Sequence, residues 1–248
     1  MTLPPRAVDV HPRRLKELGP AQVAAVMAAD PRLIIPVGTC EQHGPHLPIG
    51  CATIIAERLA DDLSATTGVL RAPTIEYGVN TPEERDFPGN ASMRKKTLHR
   101  MLNDLLAAWE TSGFREFILL TAHDYDAHQE AIDTVITQVA RVRVADIYAV
   151  RVNDLLEGQE EHMHGGEADT SLMLYLAPEL VHMEWAQDYM MSRESLRRYR
   201  RGQLRVPKGS AGSIGRPTLA TAEKGRAIYE RIRQRIRERI FLAPVDDS

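Results

Sequence analysis

Apolar runs of strand length alternate with amphipathic stretches of helical length along most of this chain, and that alternation restricts the fold more than any other feature. Residues 33–37 (Leu-Ile-Ile-Pro-Val) and 117–122 (Phe-Ile-Leu-Leu-Thr-Ala) read as buried strands, the second most clearly. Residues 69–75 and 146–152 are further strand candidates. The spacing predicts helices over 22–29, over 52–64 with Ile55, Leu59 and Leu63 on one side, over 95–112 with Gly113 as the stop, and over 127–142, 169–176 and 221–240. Strands separated by helices of this length need crossover connections, so they pair in parallel. The expected fold is α/β: a three-layer α/β/α sandwich with a mostly parallel central sheet. No repeat or low-complexity linker divides the 248 residues, which suits one domain over 1–248.

Bulk properties exclude several classes of function. A formal charge of -3 gives no reason to expect nucleic acid or an anionic membrane as a partner. No stretch is long and apolar enough to span a bilayer, and the start of the chain has no signal-peptide core. Cys40 and Cys51 make neither a disulfide scaffold nor a thiolate knuckle, so a reducing cytoplasm is the simplest setting. The arginine-dense stretch 193–208 reads as a solvated helix and loop, with a patch for an anionic ligand as the alternative. Arg197, Arg198, Arg200 and Arg201 are also candidates for a subunit contact.

Three clusters carry chemistry, each just past a predicted strand or at a helix start, where α/β sheets hold ligands. In the first, Glu41 and His43 sit two residues apart in a Pro- and Gly-rich loop after the strand 33–37. On extended backbone they share a face, as a divalent metal requires. In the second, His123 follows the strand 117–122, with Asp124 and Asp126 as further ligands or helix caps. In the third, His162 and His164 precede Gly165 and Gly166, and Glu167 opens an apolar helix. Asp169, Thr170 and Ser171 read as caps of that helix. The charged loop 77–92, with Glu83, Glu84, Arg85 and Asp86, is the candidate for substrate selection.

Together these clusters resemble the creatininase (creatinine amidohydrolase) family. The resemblance rests on PVGTCEQHGPHLP (36–48), FPGNAS (87–92), HGGEADTS (164–171) and GRPTLATAEKG (215–225), in order and over most of the chain. It implies an α/β/α fold and hydrolysis of small cyclic amides, formamides or related amides by metal-activated water. It also implies one or two divalent ions, zinc foremost with manganese or iron as variants, and a homo-oligomer, often a hexamer. By position, Glu41, His43, His123 and Glu167 resemble the metal ligands, and His164 resembles the histidine that moves protons at the scissile nitrogen. On that mechanism the metal and the amides near Gly165 and Gly166 stabilise the oxyanion.

The chain departs from the pattern where the family places a metal-bridging Asp: Ala52 stands there. Three readings of Ala52 remain: a one-metal site, replacement of the carboxylate by Asp124 or Asp126, or an engineered substitution. Cys51 beside it reads as a buried inert thiol before a ligand. Two alternatives to the amidohydrolase stand: a non-catalytic relative that binds a ligand or partner, and a metal-dependent enzyme acting on a non-amide bond.

Overall fold

The computed structural model describes residues 11–81, 87–158, 163–201, 203 and 209–242. His162 and the stretch from Glu83 to Asp86 lie outside them. Four strands form one all-parallel sheet in the order β2-β1-β3-β4: β1 Arg32–Val37, β2 Leu70–Arg71, β3 Glu116–Thr121 and β4 Arg141–Asp146. The two strongest apolar runs become the central pair, with Leu33 opposite Phe117 and Val37 opposite Thr121. Their side chains alternate between two cores, as the period of a strand demands. Ile34, Ile118 and Leu120 face one side, while Leu33, Ile35, Phe117 and Leu119 face the other.

The first core is closed by α2 Cys51–Thr67, α5 Glu167–Leu176 and α7 Ala222–Ile236. The second is closed by α1 Pro20–Ala29, α3 Lys95–Ser112 and α4 Asp126–Asp133. The three-layer α/β/α sandwich is therefore the observed fold. The connection β1–α2–β2 runs to one side of β1, and β2–α3–β3 crosses back over it with α3 on the opposite face. The carboxyl ends of β1 and β3 thus flank the point where strand order reverses, the usual ligand position in such sheets. No helix among the described residues is long and apolar enough to cross a membrane.

Three predicted elements differ. The helix expected over 127–142 ends at Asp133, because the Glu110 carboxylate of α3 binds the N–H groups of Gln138, Val139 and Ala140 in a turn. The strand expected over 146–152 lies earlier, at β4, where Val142 and Val144 alternate with Arg143 and Ala145 against the two cores. β2 is two residues long, because Pro73 has no N–H to continue the ladder, although Ile75 still bonds Pro36.

Candidate metal centre

The loop after β1 carries Glu41 and His43 into the interior, where they are 0% and 2% exposed. The loop after β3 brings His123, 4% exposed, so that its Nδ1 lies 3.1 Å from Glu41 Oε2. The turn before α5 brings His164, whose ring stacks on His43 with centroids 4.3 Å apart. Ligand atoms of Glu41, His43 and His164 all fall within 4.8 Å of one another. His164 is the partly exposed member of that group.

Each of the three imidazoles holds a backbone carbonyl with one ring nitrogen. His43 Nδ1 lies 3.0 Å from Glu41 O, His123 Nε2 3.0 Å from Val79 O, and His164 Nε2 2.7 Å from Gln42 O. A carbonyl oxygen only accepts, so the tautomer protonated on that nitrogen satisfies each contact and leaves the other nitrogen to a cation; for His123 that other nitrogen faces the Glu41 carboxylate, itself an acceptor. Burial pushes the pKa of His123 and of His164 down to about 4, which keeps both rings neutral near pH 7. Neutral imidazoles oriented by carbonyls beside a buried carboxylate are a donor set suited to a divalent cation.

The supporting contacts come from residues the sequence reading passed over. His128 of α4 accepts the Val79 N–H at 3.2 Å, packs edge-on to His123 and contacts Thr121 Oγ1 at 3.1 Å. Gln42 bonds Gly44 N–H and Gly212 O through its amide and gives its own carbonyl to His164. The arginine-dense stretch contributes α6 Arg193–Arg200, whose Leu196 and Tyr199 pack on Met163 and Ile214, with the Tyr199 ring 6.2 Å from His164. The apolar pair three residues apart within the arginines was the available signal. Gln42 and His128 gave none.

Other candidate residues have different partners. Glu167 is fully buried but not gathered with the others. Its Oε1 accepts from Lys224 Nζ at 2.8 Å and Glu157 N–H at 3.0 Å, and its Oε2 from Gly158 N–H at 2.9 Å. Burial alone would raise its pKa, yet these donors hold it below the usual carboxylate range. The oxyanion role expected of Gly165 and Gly166 does not fit either. Gly165 N–H bonds Asp169 Oδ2 at 2.9 Å, and Gly166 N–H bonds Met163 O at 2.9 Å. Gly165 is needed for another reason: its φ is +61°, and a Cβ would meet His43 O at 2.2 Å. Ala52 packs in the first core beside Cys51, whose thiol burial keeps protonated. Neither Asp124 nor the exposed Asp126 joins the cluster of Glu41, His43 and His164.

A parallel α/β sheet with buried carboxylate and imidazole donors at its switch point defines a candidate divalent-metal protein. Residues 16–240 match the family model Creatininase, described as creatinine amidohydrolase, and the chain belongs to that family of metal-dependent amidohydrolases. It is 28% identical over 225 residues to the 3-dehydro-scyllo-inosose hydrolase of Thermotoga maritima, covering 78% of this chain and 71% of that protein. It is 29% identical over 246 residues to the mycofactocin precursor peptide peptidase of Mycobacterium tuberculosis, covering 93% and 88% respectively. The solved structure titled "Creatininase Mn" superposes with a TM-score of 0.75 at 26% identity, over 92% of this chain and 98% of that one.

Proposed function

We propose that this protein hydrolyses a C–N bond of a small cyclic amide, formamide or related amide at a centre in which Glu41, His43 and His123 hold a divalent metal ion. The observation that carries the reading is a buried carboxylate among imidazoles: Glu41 lies 3.1 Å from His123 Nδ1 and within 4.8 Å of a ring nitrogen of His43, while backbone carbonyls occupy the opposite ring nitrogens, His123 Nε2 and His43 Nδ1. A divalent cation bound there supplies Lewis acidity and lowers the pKa of water.

The chain's own residues do the rest. His164 Nε2–H is fixed on Gln42 O, so its Nδ1 is the proton carrier. It accepts a proton as water attacks the carbonyl carbon and returns it to the departing nitrogen. The partial exposure of His164, against the burial of His43 and His123, supports its role facing the substrate. Zinc or manganese suits a site of imidazole and carboxylate donors.

A second reading, hydrolysis of a non-amide bond, is supported by the Thermotoga relative, whose name gives an inosose as substrate. The test is elemental analysis of the purified protein, followed by turnover of a panel of lactams, formamides, short peptides and cyclic polyol ketones, with and without a chelator. Metal-dependent release of an amine supports the first reading. Turnover of the ketones alone supports the second, and a chain that neither holds nor takes up metal removes both.

A further inference from the structure

Asp169, two residues into α5, is 1% exposed and reaches two other segments of the centre. Its Oδ2 accepts Gly165 N–H at 2.9 Å, which fixes the peptide next to His164. Its Oδ1 lies 3.0 Å from the Tyr148 hydroxyl, which is also 3.1 Å from the carbonyl oxygen of Ala122, the residue before His123. The Tyr148 proton is thereby shared between Asp169 and the backbone that carries His123. Burial keeps that phenol protonated, so it serves both acceptors as a donor. Gly165 in turn packs against the carbonyl of His43. One carboxylate therefore touches, directly or through one group, the segments bearing all three histidines.

Charge gives Asp169 a second part. A divalent cation beside Glu41 carries one more positive charge than Glu41 balances, and an excess charge in a water-poor interior is costly. Glu167 is engaged by Lys224. Asp169 accepts from the Gly165 N–H and the Tyr148 O–H, donors that favour the carboxylate form. The field of that charge acts on His46, His123 and His164 alike.

We propose that Asp169 is a positioning residue of the metal centre: with Tyr148 it locks the His123 and His164 segments together and supplies the second buried negative charge that a divalent ion needs. This rests on the metal-binding reading above. A plain helix-capping role is the competing account, since Asp169 bonds the N–H just before the α5 N-cap, Gly166. Asparagine separates the two, because it keeps an oxygen acceptor for Gly165 but removes the charge.

The experiment measures the dissociation constant for Zn2+ or Mn2+ by competition with a chromophoric chelator, in wild type, Asp169→Asn and Tyr148→Phe. It also records the melting temperature of each metal-free protein. The expected result for Asp169→Asn is affinity about 10–100-fold weaker, the usual scale for residues that orient metal ligands, with the metal-free melting temperature unchanged. Tyr148→Phe is expected to weaken affinity by a smaller factor. Affinity within about threefold of wild type in Asp169→Asn overturns the proposal. If that variant does not fold, Tyr148→Phe decides: weaker binding supports the lock and unchanged binding overturns it. A wild-type protein without metal affinity would instead remove the underlying metal reading.

Discussion

His123 lies between two acceptors: its Nδ1 is 3.1 Å from Glu41 Oε2 and its Nε2 is 3.0 Å from Val79 O. A neutral imidazole has one N–H for these two acceptors, so one contact is unfavourable unless a cation lies between Nδ1 and Glu41. The arrangement is therefore costly in the metal-free protein and favourable in the loaded one.

Glu41→Gln tests this in both states. The amide can donate to His123 Nδ1, so the metal-free variant should gain about 1 kcal/mol from one buried hydrogen bond. For a chain of this size that is a rise of roughly 2–4 °C in Tm. The same variant should lose stoichiometric zinc or manganese on elemental analysis. A variant that keeps full metal content would remove Glu41 from the ligand set.

His164→Ala separates proton transfer from coordination. A positioned acid–base group is typically worth about two to four powers of ten in rate. Turnover should fall by that factor while bound metal stays at the wild-type level. Its stacking on His43 at 4.3 Å and its place within the 4.8 Å donor group make the control essential. Loss of metal in proportion to activity would make His164 a ligand.

Lys224→Met probes the ion pair of Glu167. The lysine bonds the buried Glu167 at 2.8 Å and also reaches Glu157 and Leu219 O, tying the start of α7 to the start of α5. Removing it leaves a buried carboxylate with backbone donors. The expected loss is on the order of 3 kcal/mol, or roughly 6–12 °C in Tm, with metal content unchanged. Loss of metal without loss of stability would return Glu167 to the candidate ligands.

How far the sequence discloses this molecule depends on how local each determinant is. Strands β1 and β3 are visible because both faces are buried, which writes an apolar run into the text. β4 at the sheet edge is not, because arginines alternate with valines there and only tertiary packing distinguishes a strand from a turn. Glu41, His43, His123 and His164 stand out as metal-type residues after strands or before a helix; ligand atoms of Glu41, His43 and His164 lie within 4.8 Å of one another, and His123 lies outside that group with its Nδ1 3.1 Å from Glu41. Glu167 carries the same kind of signal, yet Lys224, 57 residues away, takes its carboxylate elsewhere. The contacts of Gln42 and Tyr148, and the bond of Asp169 to Tyr148, are illegible, since each joins segments distant in sequence.

Acid should destabilise the metal-free protein earlier than the carboxylates alone would. Burial lowers the pKa of His46, His123 and His164 to about 4, and pushes His128 well below the ordinary histidine value. In the unfolded chain these rings titrate near 6.5. As pH falls through about 6.5 the unfolded state takes up protons that the folded state refuses, so folding loses free energy from there down to about 4. Above pH 7 the same groups cost nothing. Melting temperatures of chelator-treated protein should therefore be level from pH 8 to 7 and fall progressively from pH 6.5 to 4.5. His128→Gln should make that fall less steep, because it removes one of the groups taking up a proton. A flat profile across the interval would show that these histidines are charged in the folded protein, contrary to their burial.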